Sequence, residues 1–329
     1  MAGAITHLLV VDAALERAQS DEKLSGLTKL LETATPFLLL GSVSPDLPYA
    51  MAIGPDKQWA DRMHYLKTND VGLRGSLELG QSNLVGTPAG NARLAWLVGY
   101  VAHCVTDATI HPIVQAIVGP YHTAPVRHRV CEMVQDALLF SETRGCDLQG
   151  THFVHQLKLS ALADRDAFPW VVGFWFGLLT EVYGVLAPKP DPEQWRETYA
   201  ALLDVASDNK LAEALSRKLP GLSSLIYSSA EQLRKERQGE VRDYFDAVPD
   251  PLDHGHRAPF AEIGFARAVE NVLQVWPYVD HDVQHAKAIT EKAECGELPG
   301  VLFNWNLDTG ANMDLGDSRL TYWPGAVGS

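Results

Sequence analysis

Cysteine is scarce in this sequence. Cys104, Cys131, Cys146 and Cys295 are spread irregularly over 329 residues, with no CxxC pair. That argues against both a thiolate zinc site and a disulfide framework, and leaves small buried hydrophobes in a reducing compartment. A basic surplus is missing too: 27 Lys and Arg stand against 41 Asp and Glu, for a formal net charge of −14. Such a balance provides no broad cationic face, so duplex nucleic acid is not an expected partner. An enzyme that meets phosphate through bound cations remains open. There are no repeats, low-complexity tracts or Gly/Ser linkers. The opening run MAGAITHLLVVDAALERA lacks the basic segment and long apolar core of a leader. The expectation is a cytoplasmic protein, or one exported without a cleaved signal peptide.

Strand-like alternation is also rare. Helical periodicity predicts helices over about 5–18, 23–33, 90–118, 124–142, 152–162, 170–186, 192–206, 210–218, 221–238 and 258–275. The fold class is therefore all-α, a multi-helix bundle with a short irregular or β-like C-terminal tail. Residues 1–290 form the helical domain and 291–329 a tail packed on it, in which VLFNWNLDTG and SRLTYWP pair as a hairpin. VPDPLDHGHRAP, over Val248–Pro259, reads as a long loop. The most apolar stretch, Phe168–Leu186, contains Pro169, three glycines and Glu181, which favours a buried core helix over a membrane span. If a lipid surface is touched, its Trp170, Phe174, Trp175 and Phe176 are the first residues to consider.

Chemistry concentrates in LAWLVGYVAHCVTDATIHPIVQAIV, Leu94–Val118. This helix is apolar on nearly every side, and Asp107 is its one formal charge. His103, Asp107 and His111 fall at i, i+4 and i+8, one above the other on a single face. A lone carboxylate there costs several kcal/mol unless a cation compensates it. A hydrogen-bonded His–Asp–His network is the bland account; a metal explains all three residues together, because imidazole and carboxylate are zinc's usual N and O ligands. Pro112 invites a kink that would re-aim His111. On the next helix, His128 and Glu132 are again four apart and, across the short GPYHTAP connection, could face the first set. Asp46 in SPDLPY and His64 in RMHY are individually unremarkable, a turn cap and a surface residue. VDHDVQH carries His281 and His285 four apart in polar surroundings, which reads as a solvated helix start.

Taken in order, these residues resemble the zinc-dependent phospholipase C family, which shares its fold with the single-strand-specific zinc nucleases. The resemblance runs through His7, Asp46, His64-Tyr65, His103-x3-Asp107, His111 and His128-x3-Glu132, spanning residues 1 to about 135. It implies Zn2+, two or three ions per chain. Asp46, His64, His103 and Asp107 would hold one ion, and His111, His128 and Glu132 a second. His7 would hold a third, bridged to the first by Asp107. In secreted members the amine of the mature first residue ligates that third ion five residues before the His. Ala2 stands in the same relation to His7, and excision of Met1 would free its amine. Two features depart from the pattern. The usual N-terminal Trp is absent, and the H-x3-D-x3-H spacing resembles the glycosylphosphatidylinositol-specific phospholipase D branch.

The resemblance implies a zinc-dependent phosphodiester hydrolase. Zinc lowers the pKa of its bound water to about 7, and Asp46 is the residue expected to orient or deprotonate the attacking water. A phospholipid headgroup ester is the first substrate reading, with transient membrane-surface contact. Single-stranded nucleic acid and a small soluble phosphoester remain alternatives, as does a non-enzymatic scaffold stabilised by zinc.

Overall fold

A computed structural model describes residues 3–51, 54–148, 151–162, 164–208, 227–253, 255–286, 303–314 and 322–323. The architecture is a helical bundle around one long central helix. Its order is α1 (Ala4–Ala18), α2 (Ser25–Thr33), α3 (Thr35–Val43), a 3-10 segment (Ser44–Ala50), α4 (Lys57–Tyr65), α5 (Asp70–Gln81), α6 (Pro88–Val118), α7 (Pro125–Arg144), α8 (His152–Leu159), α9 (Ala167–Tyr183) and α10 (Pro192–Ser207). After residues 209–226, which are outside the described set, come α11 (Ala230–Glu236), α12 (Gln238–Val241), π-helical turns at Arg242–Asp246 and Ala261–Ala266, and α13 (Arg267–His285). β1 (Val248–Pro249) pairs antiparallel with β2 (Arg257–Ala258), and β3 (Trp305–Asn306) with β4 (Ala311–Asn312). The all-α expectation holds.

Helix α6 is the axis. Thr87 starts it, its hydroxyl accepting from Gly90 N, with Pro88 at the first helical position; Gly119 stops it at φ +85°. Its length and apolarity would suffice for a membrane span, but its residues are mostly buried by neighbouring helices. The helix continues through Pro112 as far as Val118. Helix α3 lies along it at backbone contact. A methyl group at Gly41 would land on the Trp96 carbonyl, and one at Gly99 on the Leu38 carbonyl. That closeness decides where His103 can point.

Several expectations are corrected. Helices α3, α4 and α5 and the 3-10 segment lie outside the stretches that periodicity marks as helical. The helix expected at 258–275 is a π turn followed by α13, which places His281 and His285 at a helix end rather than a start. Among the described residues the tail strand at Trp305 pairs with Ala311–Asn312 in a tight hairpin, with Gly310 at φ +70° in the turn; the expected partner SRLTYWP lies mostly outside the described residues. The Val248–Pro259 loop is pinned by the β1–β2 pair. Helix α9 buries Phe174 and Trp175 but leaves Trp170 52% and Phe176 37% exposed, so it is half-buried rather than a core helix. The helix expected at 210–218 and the boundary near 290 fall outside the described residues.

Candidate metal centre

Four elements aim polar side chains at one buried point, and a fifth, α7, carries two more of the predicted ligands. Helix α1 brings His7. Its amino end is held by Asp136 of α7, whose carboxylate accepts from Thr6 N (2.8 Å), Thr6 Oγ1 (2.7 Å), Ile5 N (3.3 Å) and Tyr227 Oη (2.7 Å). A carboxylate at a helix amino end satisfies free N–H groups and the positive end of the dipole. The 3-10 segment brings Asp46, anchored by Trp96 Nε1 donating to Ser44 Oγ at 2.8 Å. Helix α4 brings His64, α6 brings His103, Asp107 and His111, and α7 brings His128 and Glu132. All eight are buried. Ala2 lies outside the described residues.

Each of three imidazoles is oriented by a backbone carbonyl. His64 Nδ1 donates to Ala60 O (2.8 Å), His103 Nδ1 to Ser42 O (2.9 Å), and His111 Nδ1 to Leu307 O. This fixes the tautomer and leaves Nε2 of each ring pointing inward with its lone pair. His128 is reversed: its Nε2 donates to Gly119 O (2.6 Å), leaving Nδ1 without a hydrogen-bond partner.

The inward atoms surround Asp107. One carboxylate oxygen, Oδ1, lies 3.2 Å from His7 Nε2 and 3.5 Å from His111 Nε2. The other, Oδ2, lies 3.2 Å from His103 Nε2 and 3.6 Å from His64 Nε2. Asp46 Oδ1 is 3.1 Å from His64 Nε2 and 3.9 Å from His103 Nε2. Two ligand triads, His7–His103–Asp107 and Asp46–His64–His103, have donor atoms within 4.8 Å of one another. A tetrahedral zinc with bonds of about 2.0–2.1 Å sets its ligand atoms about 3.3 Å apart. The observed separations scatter about that edge length.

Protons account for this arrangement less well than a cation does. His64 and His103 each turn Nδ1 to a carbonyl and Nε2 toward carboxylate oxygens, which sets lone pairs against lone pairs unless a cation lies between them. His103 also stacks on His7, centroids 4.1 Å apart and planes 13° off parallel, which brings their Nε2 atoms to the two oxygens of one carboxylate. His103 Nε2 and His111 Nε2 have no hydrogen-bond partner despite full burial. The donor set fits zinc.

Electrostatics follow from burial. Burial works to raise the Asp107 carboxyl, but His111, His103 and His7 outweigh it and hold it well below the usual range. Asp46 is held down in the same way against burial, chiefly by His103 and His64. Burial lowers His111 to about 4, which keeps it an unprotonated donor. Glu132 is pushed up to about 7 by burial, partly offset by nearby positive charge including Arg129. His128 and Glu132 are buried on α7 and stand outside both triads.

Residues outside the predicted ligand set complete the surroundings. Tyr49 Oη donates to Asp61 (3.0 Å) and Tyr65 Oη to Asp308 (2.6 Å), and the Tyr121 ring meets His128 edge-on at 5.4 Å. Asp136 had a signal, since it continues the His128–Glu132 spacing by four more residues. Leu307 had none, because it acts through its main chain.

The model of zinc-dependent phospholipase C matches residues 6–185, more than half of the chain. The chain belongs to the zinc-dependent phospholipase C family. No curated protein and no solved structure matches it. All eight predicted ligands from His7 to Glu132 fall within the matched span, and the tail hairpin falls outside it. Family membership brings with it zinc dependence and, in general terms, phosphodiester hydrolysis.

Proposed function

We propose that this member of the family is a phospholipase C acting on the headgroup ester of a phospholipid, with zinc held by Asp46, His64, His103 and Asp107, by His7 with Asp107, and by His111, His128 and Glu132. The observation that carries the reading is Asp107, a buried carboxylate whose two oxygens each face two imidazoles. Bound there, zinc supplies Lewis acidity toward the phosphoryl oxygens and a lowered pKa for water.

The chain's own residues do the rest. His7, His64, His103 and Asp107 are wholly buried, whereas Asp46 and Glu132 are each 3% exposed and His111 and His128 each 1%. Asp46 accepts the proton of the attacking water as its oxygen closes on phosphorus, and the diacylglycerol oxygen departs with a proton from solvent. General-base assistance of this kind contributes about 10²–10⁴-fold. Asp46→Asn keeps an oxygen ligand while removing the proton acceptor, so turnover should fall by about that factor while zinc is still held. An Asp46→Asn variant with both zinc and parental turnover would remove Asp46 from this role.

Two features favour a lipid over a polynucleotide. The net charge of −14 repels a polyanion, and Trp170 and Phe176 leave apolar aromatic area on the surface of α9. The test compares zinc-loaded protein on phospholipid vesicles, single-stranded DNA and a soluble phosphodiester. Diacylglycerol release outpacing the other two supports the reading. Preferred cleavage of DNA or of the soluble ester would overturn the lipid assignment, and no turnover on any of the three would overturn the enzyme.

A further inference from the structure

The tail hairpin is far from the metal centre in sequence and against it in space. Leu307, wholly buried, holds two of the centre's histidines through its main chain: its carbonyl accepts from His111 Nδ1, and its N–H donates to the His64 carbonyl at 2.9 Å. His64 and His111 lie on different helices, so one residue's main chain ties α4 to α6 beside the ligand atoms. The turn is then fastened on both sides. Gln115 of α6, one helical turn past His111, donates to Asp308 O at 2.7 Å, and Tyr65, next to His64, donates to the Asp308 carboxylate at 2.6 Å. Thr68 and Trp305 exchange hydrogen bonds at 3.0 and 3.1 Å, and Asn69 N donates to Asn304 Oδ1 at 3.1 Å.

Gly310 sets the fit. It has φ +70°, and a Cβ there would sit 2.6 Å from Ala108 O and 2.8 Å from Pro112 Cγ, beside Asp107 and His111 on α6. Side chains therefore cannot intervene between hairpin and helix. The carbonyl of Leu307 is what selects the Nδ1–H tautomer of His111 and turns its Nε2 toward Asp107.

We propose that residues 303–314, outside the family-matched span, are a positioning element of the metal centre, with the Leu307 main chain orienting His111 and fixing His64 relative to it. This rests on the reading of the centre as a zinc site, but not on any substrate.

The test is zinc affinity by competition with a chromophoric chelator, together with the visible spectrum of the cobalt-substituted protein, for the full chain, Gly310→Ala and Gln115→Ala. Gly310→Ala should bind zinc about 10–100-fold more weakly, the usual effect of losing a partner that orients a ligand. Gln115→Ala should show the low end of that range. Both should shift the cobalt bands while far-ultraviolet circular dichroism stays parental. A hairpin that only adds stability would lower the melting temperature of the metal-free protein and leave zinc affinity and cobalt bands unchanged in the folded variants, which would overturn the proposal. If Gly310→Ala fails to fold, Gln115→Ala decides alone. A parent that holds zinc yet hydrolyses nothing would sink the phospholipase reading and leave this one standing; a parent that holds no zinc would sink both.

Discussion

At the residue scale, the centre is built from side chains that are costly to bury singly and cheap only together. Asp107 and Glu132 show two solutions. Asp107 is surrounded by imidazoles and kept ionised, while Glu132 is lifted by burial from the ordinary 4.5 to about 7. In metal-free protein, native Glu132 therefore keeps a proton that the unfolded chain releases between pH 4.5 and about 7. The native state then binds more protons, so this group's contribution to stability is fully present below pH 4.5, declines as pH rises to about 7, and is flat above. Glu132→Gln removes that slope: denaturant midpoints of the metal-free variant should exceed the parent's at about pH 8 and match it at about pH 4. Equal differences at both values would show that Glu132 is not held neutral. The helical spacings His103–Asp107–His111 and His128–Glu132 were legible in the sequence because one face of a helix is a fixed geometric statement. Asp46 and His64 were legible only through their order in the family pattern. The carbonyls that orient the rings, Ala60, Ser42 and Leu307, carry no side-chain signature at all.

At the element scale, the helices that periodicity missed have physical reasons for being missed. In α3, TPFLLLGSV, the apolar run has no polar face to set a period, because α6 and its neighbours cover it all round. In α5, DVGLRGSLELGQ, three glycines count against a helix by propensity. They serve packing instead: added Cβ atoms would strike Val101 from Gly72, Leu97 from Gly75 and the Val283 carbonyl from Gly80. Tertiary contact overrides local preference there. The same logic makes the α3–α6 seam testable. Gly41→Val drives a side chain into the Trp96 carbonyl and pushes Ser42 from His103. Stability should fall by about 1–3 kcal/mol or more in urea unfolding, the range for overpacking a tight interface. A variant of parental stability would mean the seam yields without cost.

At the scale of the whole molecule, the metal centre joins α1, α3's 3-10 extension, α4, α6 and α7, so binding there is coupled to the packing of most of the matched span. An ion bound only by the folded state stabilises by about 2.7 kcal/mol at a free concentration of 100 times its dissociation constant. Removing zinc with a chelator should accordingly lower the melting temperature by several degrees, and restoring zinc should recover it. Unchanged melting would separate the centre from the fold. The helical class and the shared face of His103, Asp107 and His111 were both readable before any coordinates, since buried helices and ligand spacing are local patterns. The closing of the tail on that centre was not, because it joins residues nearly two hundred positions apart through the main chain of one residue.

The chemistry of this protein depends on whether His7, Asp46, His64, His103, Asp107, His111, His128 and Glu132 hold zinc. Metal content by inductively coupled plasma mass spectrometry, on protein purified without chelator or metal-affinity tag, tests this most directly when the parent is set beside Asp107→Ala. The expected result is two or three zinc per parent chain and a loss of at least one in the variant. A folded parent with no tightly bound metal would contradict it, and would reduce the eight residues to a polar network in the core.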